Sequence, residues 1–324
     1  MEEIYKETIL TPLGVAKTTG FLDWDTQPSP FKHYPEFLFG YDFGKIEALK
    51  IIELSRSVTD AQQLGKKPYY RLNTPSAGNL HPTELYVQIR GVEGVLSGIY
   101  HIDAKDACLV LIEEIEKEGI EPYVGLRHRF KGMLFVVSMV PFRSEWKYGK
   151  RAWRYCYLDA GHQAGSVLAA ASATGQNATI LSDIDSEGLH TVLGFSDEEY
   201  PVVALGIGEE SERGVVHLKK ALMHVCPLDY SEGTRDASAY LLAPKISDAK
   251  GHRPEKIEEE TILGRRSARR FGTEVLSKET ADFVASLLQE VPEPLHAWQI
   301  WIHHPSRPDG IYRDGICVDR WEYA

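Results

Sequence analysis

The chain has 324 residues, of which 43% are hydrophobic, and its 47 acidic residues outnumber its 36 basic residues to give a formal net charge of −11. This length allows either two domains of ordinary size or one large unit, and the composition is that of a globular protein. The acidic balance argues against any function that depends on attraction to phosphate backbones, so no nucleic-acid partner is expected.

The cysteines and the amino terminus bear on the cellular compartment. The cysteines are widely spaced without a CxxC pair, which favours reduced thiols over a disulfide framework or a zinc ribbon: Cys108, Cys156, Cys226 and Cys317. The first residues are acidic where a signal peptide is basic, and no apolar run approaches the roughly 18 residues of a membrane span. We expect a cytoplasmic protein with no metal site and no membrane partner.

The first two thirds of the chain read as α+β. Prolines among aromatic residues predict an irregular arm over 1–45 that lies across a domain. Apolar spacing predicts a helix over Ile46–Ser57, and an alanine-rich stretch predicts a buried helix over Arg151–Thr174 that stops at Gly175. Apolar and β-branched runs predict five strands, the last ending in a glycine turn: Leu85–Ile89, Gly98–His101, Cys108–Ile112, Gly132–Val140 and Pro201–Gly208. The expected architecture is a mainly antiparallel central sheet flanked by helices.

The last third begins with a predicted linker. Residues 231–259 are mostly polar and contain two prolines, a composition typical of linkers. Beyond them, the pattern predicts a helix over Lys278–Glu290 and a strand over Ala297–His303. The expected organisation is an arm over 1–45, a first repeat over 46–230, the linker over 231–259, and a partial second repeat over 260–324.

Two matches at one offset raise the question of an internal repeat. The string Gly-Ile-Tyr at 98–100 recurs at 310–312, and Pro82 recurs as Pro294, both displaced by 212 positions (98 to 310, 82 to 294). Such short matches can arise by chance, but an internal repeat would determine the fold of the whole chain. A second repeat as long as the first would extend to about residue 420, so the second repeat is expected to be incomplete.

The segment before the Leu85–Ile89 strand has the residue types of a ligand-binding turn. It consists of small turn formers that can present backbone N–H groups and two polar side chains to a planar polar ligand: Pro75, Ser76, Ala77, Gly78 and Asn79. Gly78 has no Cβ to hold such a ligand away. A plain surface turn is the alternative.

A second segment has the residue types of a phosphate site. Three arginines and a hydroxyl fall within five positions and form the tightest basic cluster of the chain: Arg265, Arg266, Ser267 and Arg269. The fixed fork of arginine suits a phosphate monoester, and a solvated basic face is the alternative.

Two further groups could take part in acid–base chemistry or metal binding. Between Arg143 and Arg154 basic residues alternate with aromatic ones, a pattern that can bind nucleic acid. The net negative charge of the chain makes that interpretation less plausible than a pocket lined by Lys147 and Tyr148, in which burial could shift the pKa of either residue. Asp159 and His162 stand three apart on a predicted helix, where a hydrogen-bonded pair is a simpler interpretation than a metal site.

Together these strings resemble the SagB-type dehydrogenase branch of the nitroreductase superfamily, whose members bind FMN. The resemblance spans roughly 20–210 and 255–320, and it is most specific at 71–87, 98–101 and 142–166. It implies a nitroreductase-like fold and an FMN flavoprotein. By resemblance, the flavin phosphate and ribityl chain would be held by Arg265, Arg266, Ser267 and Arg269, and the Pro75–Asn79 loop would also contact the cofactor.

The resemblance also implies a composite site. Nitroreductases are usually dimers in which the arginine string of one subunit and the PS-type loop of the other share a flavin. Here the first repeat keeps the loop but has a degraded arginine string at 53–57. The second repeat keeps the arginine string at 265–271 and lacks the loop, because residues 287–291, near the place where the loop would stand, do not match it. The losses are complementary, so we expect one flavin site per chain, in an intramolecular pseudo-dimer or in a homodimer.

The best-known SagB-type enzymes oxidise peptide azolines to azoles, and a Lys-Tyr pair matched by Lys147 and Tyr148 is associated with that activity. The resemblance therefore implies an FMN-dependent oxidoreductase acting on a small molecule or a modified peptide, with these two residues as catalytic groups. Two alternatives stay open: an NAD(P)H-dependent nitroreductase or quinone-type reductase, and a catalytically silent flavin-binding partner of a modification complex.

Overall fold

The computed structural model describes residues 8, 22–65, 67–181, 183–233, 237, 240–241, 256–268, 270, 272, 275–287, 298–301 and 305–320. The chain divides into two units, the first comprising residues 1–244 and 255–266 and the second residues 245–254 and 267–324. Arg265 and Arg266 belong to the first unit, although the sequence groups them with the second repeat. Of the helices described, none combines the length and the hydropathy that crossing a membrane requires.

A seven-stranded sheet forms the centre of the first unit. The strands in the described part of this unit are β1 (Gly40–Asp42), β2 (Val58–Leu64), β3 (Lys67–Leu72), β4 (Thr83–Arg90), β5 (Gly98–Asp103), β6 (Cys108–Glu114), β7 (Glu118–Gly119), β8 (His128–Met139), β9 (Ala178–Leu181), β10 (Tyr200–Gly214) and β11 (Val216–His217). The sheet order is β1-β6-β5-β4-β8-β10-β9, and every neighbouring pair is antiparallel. The predicted α+β class, with a mainly antiparallel sheet, is confirmed.

Helices cover both faces of this sheet. They are α1 (Lys50–Ser55), α2 (Phe142–Tyr148), α3 (Ala152–Ala173), α4 (Ser186–Val192) and α5 (Glu259–Gly264), with 3-10 turns at Trp24–Thr26, Phe43–Lys45, Glu47–Leu49, Ala77–Asn79, Glu121–Val124 and Gly149–Arg151. Alternate residues of β4 contribute to two separate cores, since Leu85 and Val87 pack in the core with Ala164 of α3, whereas Tyr86 packs in the core with Leu189 of α4. A strand covered on both faces needs apolar residues without alternation, which explains the continuous apolar run in β8.

The long helix ends where the sequence predicts. Its last helical residue is Ala173, and Gly175 follows with φ +70, a left-handed conformation that terminates a helix at little steric cost. The alanines at its buried face allow the helix to lie close to the sheet.

The predicted glycine turn after Pro201–Gly208 is wrong. Strand β10 continues through Gly208 to Gly214, and Gly208 pairs with Gly132 of β8. Both glycines have positive φ, +136 and +127, and a Cβ on Gly208 would lie 2.1 Å from the carbonyl oxygen of Lys131. The glycines therefore permit close approach of two strands inside the sheet, a use of glycine that resembles a turn signal in the sequence.

The arm contributes both a crossing segment and a strand. Residues 1–7 and 9–21 lie outside the described residues. The Trp24 ring packs against Trp146 with centroids 5.4 Å apart, and Lys67 Nζ donates to the carbonyl of Gln27 at 3.2 Å, so the Trp24–His33 segment crosses the first unit. Gly40–Asp42 pairs with β6 and is an edge strand of the sheet, which the prediction of an irregular arm missed.

The second unit has its own antiparallel meander. Its described elements are α6 (Lys278–Leu287), β12 (Trp298–Trp301), β13 (Gly310–Arg313) and β14 (Ile316–Arg320), with strand order β12-β13-β14. These elements match the predicted helix and strand, whose ends at 288–290, 297 and 302–303 lie outside the described residues. Most of the predicted linker also lies outside them, although its last residue, Glu259, begins α5.

Candidate functional site

The Pro75–Asn79 loop has an unusual backbone. Gly78 lies at φ +65, and two non-glycine residues close by are also left-handed, Asn79 at φ +61 and His81 at φ +48. Left-handed backbone disfavours residues with a Cβ, and such strained positions cluster at functional sites, where the surrounding structure enforces them. The loop is therefore held in one conformation by contacts from elsewhere in the fold.

Asp159 supplies one of those contacts. From within α3, its carboxylate accepts from Ser76 Oγ at 2.8 Å and from the Ala77 N–H at 3.1 Å. Burial raises the pKa of Asp159 to about 6, although these two hydrogen bonds favour the ionised form. The expected pairing of Asp159 with His162 is wrong, because the aspartate faces the loop whereas His162 is exposed.

The loop's polar side chains also hold it in place. Ser76 Oγ accepts from the N–H of His81 at 2.9 Å, and Asn79 Nδ2 donates to the carbonyl of Tyr70 at 2.6 Å. Asn79 Oδ1 lies 3.2 Å from His81 Nε2. The sequence predicted that Ser76 and Asn79 would face a ligand, but the structure gives both of them contacts within the protein. Gly78 is exposed, whereas Pro75, Ser76, Ala77 and Asn79 are half-buried.

Lys147 and Tyr148 lie at this loop. They are the last two residues of α2, and a Cβ placed on Gly78 would lie 2.5 Å from Tyr148 Oη and 3.3 Å from Lys147 Nζ. A Cβ at position 78 would therefore displace the ends of these two side chains. Lys147 Nζ also lies 5.1 Å from the centre of the Trp24 ring, a cation–π distance. Burial, followed by Tyr155 and Asp159, raises the pKa of Tyr148, so its hydroxyl is protonated at neutral pH.

Two of the predicted phosphate-binding arginines reach the same region. Arg265 Nε donates to the carbonyl of Asn73 at 2.6 Å, two residues before Pro75, and Arg266 Nη2 donates to the carbonyl of Thr59 at 3.2 Å. Both contacts lie inside the first unit. Carbonyl acceptors are neutral, so they orient the guanidinium groups without cancelling their charge. Ser267 is exposed and belongs to the second unit, and Arg269 lies outside the described residues.

A buried ionic cluster beneath the loop was missed by the sequence analysis. Glu84, 1% exposed, lies 2.7 Å from Arg143 Nη2 and 3.7 Å from Arg56 Nη2, and it contacts His101 Nε2 at 3.1 Å. Burial disfavours its charge, but Arg143, His101 and Arg56 hold the pKa of this carboxyl well below its usual range. The sequence feature that could have predicted this cluster is a glutamate within the apolar strand β4, because a buried charge requires charged or hydrogen-bonding partners.

This cluster joins the elements of the site. Arg143, on the same helix as Lys147, donates to the carbonyl of His81 at 3.1 Å, and Arg56 donates to the carbonyl of Thr83 at 2.7 Å. Arg56 lies within the degraded arginine string of the first repeat and is 1% exposed. Its guanidinium is thus committed to the interior. Burial, together with Arg56 and Arg143, lowers the pKa of His81 to about 3, so its ring is neutral.

A second buried cluster joins β4, β8 and Glu199, the residue before β10, to the amino-terminal segment. Lys32 Nζ contacts Glu199 Oε2 at 2.8 Å and Tyr86 Oη at 2.9 Å, and Ser138 Oγ donates to Glu199 at 2.6 Å. Each of the four residues is at most 1% exposed: Lys32, Tyr86, Ser138 and Glu199. Lys32 thereby anchors the end of the segment that crosses the candidate site.

Comparison with known proteins assigns the class of this fold. Residues 49–209 match the model of the Nitroreductase family. A protein of Methanocaldococcus jannaschii described as a nitroreductase is 27% identical over 141 residues, which cover 43% of this chain and 70% of that protein. The crystal structure of an Anabaena variabilis protein, also described as a nitroreductase, has a TM-score of 0.66 at 18% identity and covers 96% of this chain and 76% of that chain. The shared architecture confirms the nitroreductase-like fold.

Proposed function

We propose that the chain is an FMN-dependent oxidoreductase whose flavin site is the Pro75–Asn79 loop with Arg265 and Arg266. One observation carries the proposal: within a single unit, Lys147 and Tyr148 lie beside the exposed Gly78, and Arg265 contacts the carbonyl of Asn73, two residues before the loop. The assignment of Ser267 and Arg269 to the flavin phosphate stays a prediction from the resemblance.

The donor chemistry of these residues fits FMN. The cofactor carries a phosphate monoester, which arginine forks bind well, and a planar polar ring, which an exposed glycine backbone can approach closely. Arg265 and Arg266 would hold the phosphate. The backbone at Gly78, with Tyr148 Oη and Lys147 Nζ beside it, would face the ring. When bound, FMN supplies a two-electron acceptor or donor.

The finer proposal is a SagB-type reaction, the oxidation of a small heterocycle such as a peptide azoline to an azole. The ring loses one proton, which the neutral amine of Lys147 would accept, and one hydride, which bound FMN would take up. The Trp24 ring stabilises the ammonium that forms. Tyr148, protonated at neutral pH, would donate a hydrogen bond.

A flavin titration of the purified chain tests the cofactor. We expect a flavin absorption spectrum and FMN affinity about tenfold or more above that for riboflavin, which lacks the phosphate. Arg265→Gln combined with Arg266→Gln should remove this preference and leave riboflavin binding unchanged. Arg129→Gln is the matched control, because Arg129, like Arg265, is half-buried and donates to a backbone carbonyl, that of Gly214. Equal FMN affinity in the double variant and the control would refute the assignment.

The description of the archaeal relative as a nitroreductase favours a second candidate, an NAD(P)H-dependent reductase. Stopped-flow mixing distinguishes the two. Rapid bleaching of the flavin by NADPH identifies the reductase, whereas bleaching by an azoline peptide alone identifies the dehydrogenase. Bleaching by neither would leave the flavin-binding partner of a modification complex.

A further inference from the structure

A cleft of about 270 Å³ opens beside the proposed flavin loop. Its lining includes Asn79 of the loop, Tyr69 and Tyr70 of β3, and Phe31 and His33 of the segment that crosses the unit. This volume lies below the range of about 300 to 1,000 Å³ that drug-sized ligands occupy. The cleft therefore has room for one small ring.

The walls of the cleft suit a planar ring. Phe31 is 5% exposed and packs edge-on against Tyr70 with ring centroids 5.2 Å apart, and behind it Leu72 and Ala104 complete a small core. The backbone of Tyr70 is also held in place, because its carbonyl accepts a hydrogen bond from Asn79 Nδ2. Rigid aromatic walls favour aromatic ligands by stacked and edge contacts.

The polar part of the cleft contains a histidine held by a carboxylate. His33 Nδ1 lies 2.8 Å from Asp103 Oδ2, and Asp103 Oδ1 accepts from the backbone N–H groups of Lys105 and Asp106. The aspartate is thus fixed and 5% exposed, whereas the His33 side chain is 38% exposed. Because Asp103 engages Nδ1, the ring nitrogen left for a ligand is Nε2.

Charged groups of both signs surround His33. Asp106 Oδ2 lies 4.0 Å from His33 Nδ1. The cleft is also lined by Lys67, Lys105 and Asp229. Lys67 donates to two backbone carbonyls. The hydrogen bond that His33 donates to Asp103 raises the pKa of His33, against the effect of burial and of Lys105, so the imidazolium persists to a higher pH than in a free histidine.

We propose that this cleft binds a small aromatic ring bearing a carboxylate, with the ring against Phe31 and Tyr70 and the carboxylate at His33, which Asp103 orients. Binding itself is independent of the flavin. The role of the cleft as the substrate pocket of the oxidoreductase rests on the proposed function, since Asn79 is shared between the cleft and the flavin loop.

Calorimetric titration of the full chain with benzoate tests the inference, with benzamide as the uncharged ligand of the same shape. At pH 6 we expect benzoate to bind about tenfold or more tightly than benzamide, because a hydrogen bond to a charged group is lost in the amide. Benzoate affinity should fall as the pH rises through the raised pKa of His33. In Asp103→Asn this fall should move to lower pH.

The matched variants are His33→Gln and His128→Gln. His128 is also a surface histidine near a carboxylate, with Nδ1 3.8 Å from Glu210, but it lies at the start of β8. His33→Gln should abolish the preference for benzoate, and His128→Gln should retain it. Equal benzoate and benzamide affinities in the wild type, or an unchanged preference in His33→Gln, would overturn the inference.

Visible absorption of the same samples separates this inference from the proposed function. Protein that binds benzoate through His33 but takes up no FMN contradicts the flavin site and supports the cleft. Protein that holds FMN but does not distinguish benzoate from benzamide contradicts the cleft alone.

Discussion

At the scale of single residues, the site depends on the absence of one side chain. Gly78 is left-handed and exposed, and Tyr148 Oη and Lys147 Nζ lie 2.5 and 3.3 Å from the place where its Cβ would stand. The contact couples residues about seventy positions apart. The sequence identified Lys147 and Tyr148 as a candidate pair, and in the structure both side chains lie beside Gly78.

Replacing Lys147 with alanine should separate catalysis from cofactor binding. If Lys147 accepts the substrate proton, its loss should lower kcat by about 10²- to 10⁴-fold, the usual contribution of a general base, and leave flavin content intact. Steady-state turnover and the visible spectrum of the same sample measure both quantities. Lys150→Ala, an exposed lysine three positions on, is the control. A colourless Lys147→Ala protein with normal folding would show that this lysine holds the flavin instead.

At the scale of elements, periodicity predicted what local sequence determines. The helix over Arg151–Thr174 and the strand over Gly132–Val140 were both found, because continuous apolar runs of those lengths leave few other structures. The hairpin β2–β3 was missed. Its strands are half-exposed, contain Pro68 and polar residues, and lack a strong alternation, so the sequence pattern resembles a loop.

The site itself could be predicted only in part. The Pro75–Asn79 string and the Lys147–Tyr148 pair are contiguous, and so a resemblance can detect them. The contact of Asp159 with Ala77 joins residues 82 apart, and that of Arg56 with Gln163 joins residues 107 apart. No local pattern encodes such pairings, since they arise only when α3 packs on the sheet.

The burial of Asp159, between α3 and the loop, should give the free energy of unfolding a distinct pH dependence. The pKa of Asp159 is raised to about 6 in the folded chain, above the value of about 3.9 for an unfolded aspartate, so the protonated form is the one that folding favours. Its contribution is complete below about pH 4 and is lost as the pH rises through about 6, by at most about 3 kcal/mol.

Urea unfolding of the wild type and Asp159→Asn between pH 4 and pH 7 measures this effect. The asparagine does not titrate, so the free energy of unfolding of the wild type should fall relative to that of the variant across this range. Asp197→Asn, at an exposed position, should follow the wild type. Parallel curves for the wild type and Asp159→Asn would mean that the folded pKa of Asp159 is ordinary.

At the scale of the whole molecule, the two units repeat one strand arrangement. Tyr86 pairs with His101 in the first unit and Trp298 with Arg313 in the second, a register displaced by the same 212 positions in both strands (86 to 298, 101 to 313). The next pairing has an irregularity after Ile99 and again after Ile311. Tyr100 and Tyr312 each donate to the carbonyl four residues earlier, at 2.7 and 2.8 Å. These details support the proposal of tandem repeats more strongly than the two short sequence matches do.

The proposed tandem repeats lead to the further proposal that one chain carries one complete flavin site. Two defective full-length variants with different affinity tags can test it after co-expression, Gly78→Val in the loop and the Arg265→Gln, Arg266→Gln pair. If the loop and the arginines act within one chain, dimers recovered through both tags should contain no site of wild-type FMN affinity, because every chain is defective in one part. If the parts come from different subunits, one of the two sites in each mixed dimer is intact, and FMN content should return to about half of the wild-type value. That recovery would replace the intramolecular pseudo-dimer with a homodimer that shares its sites.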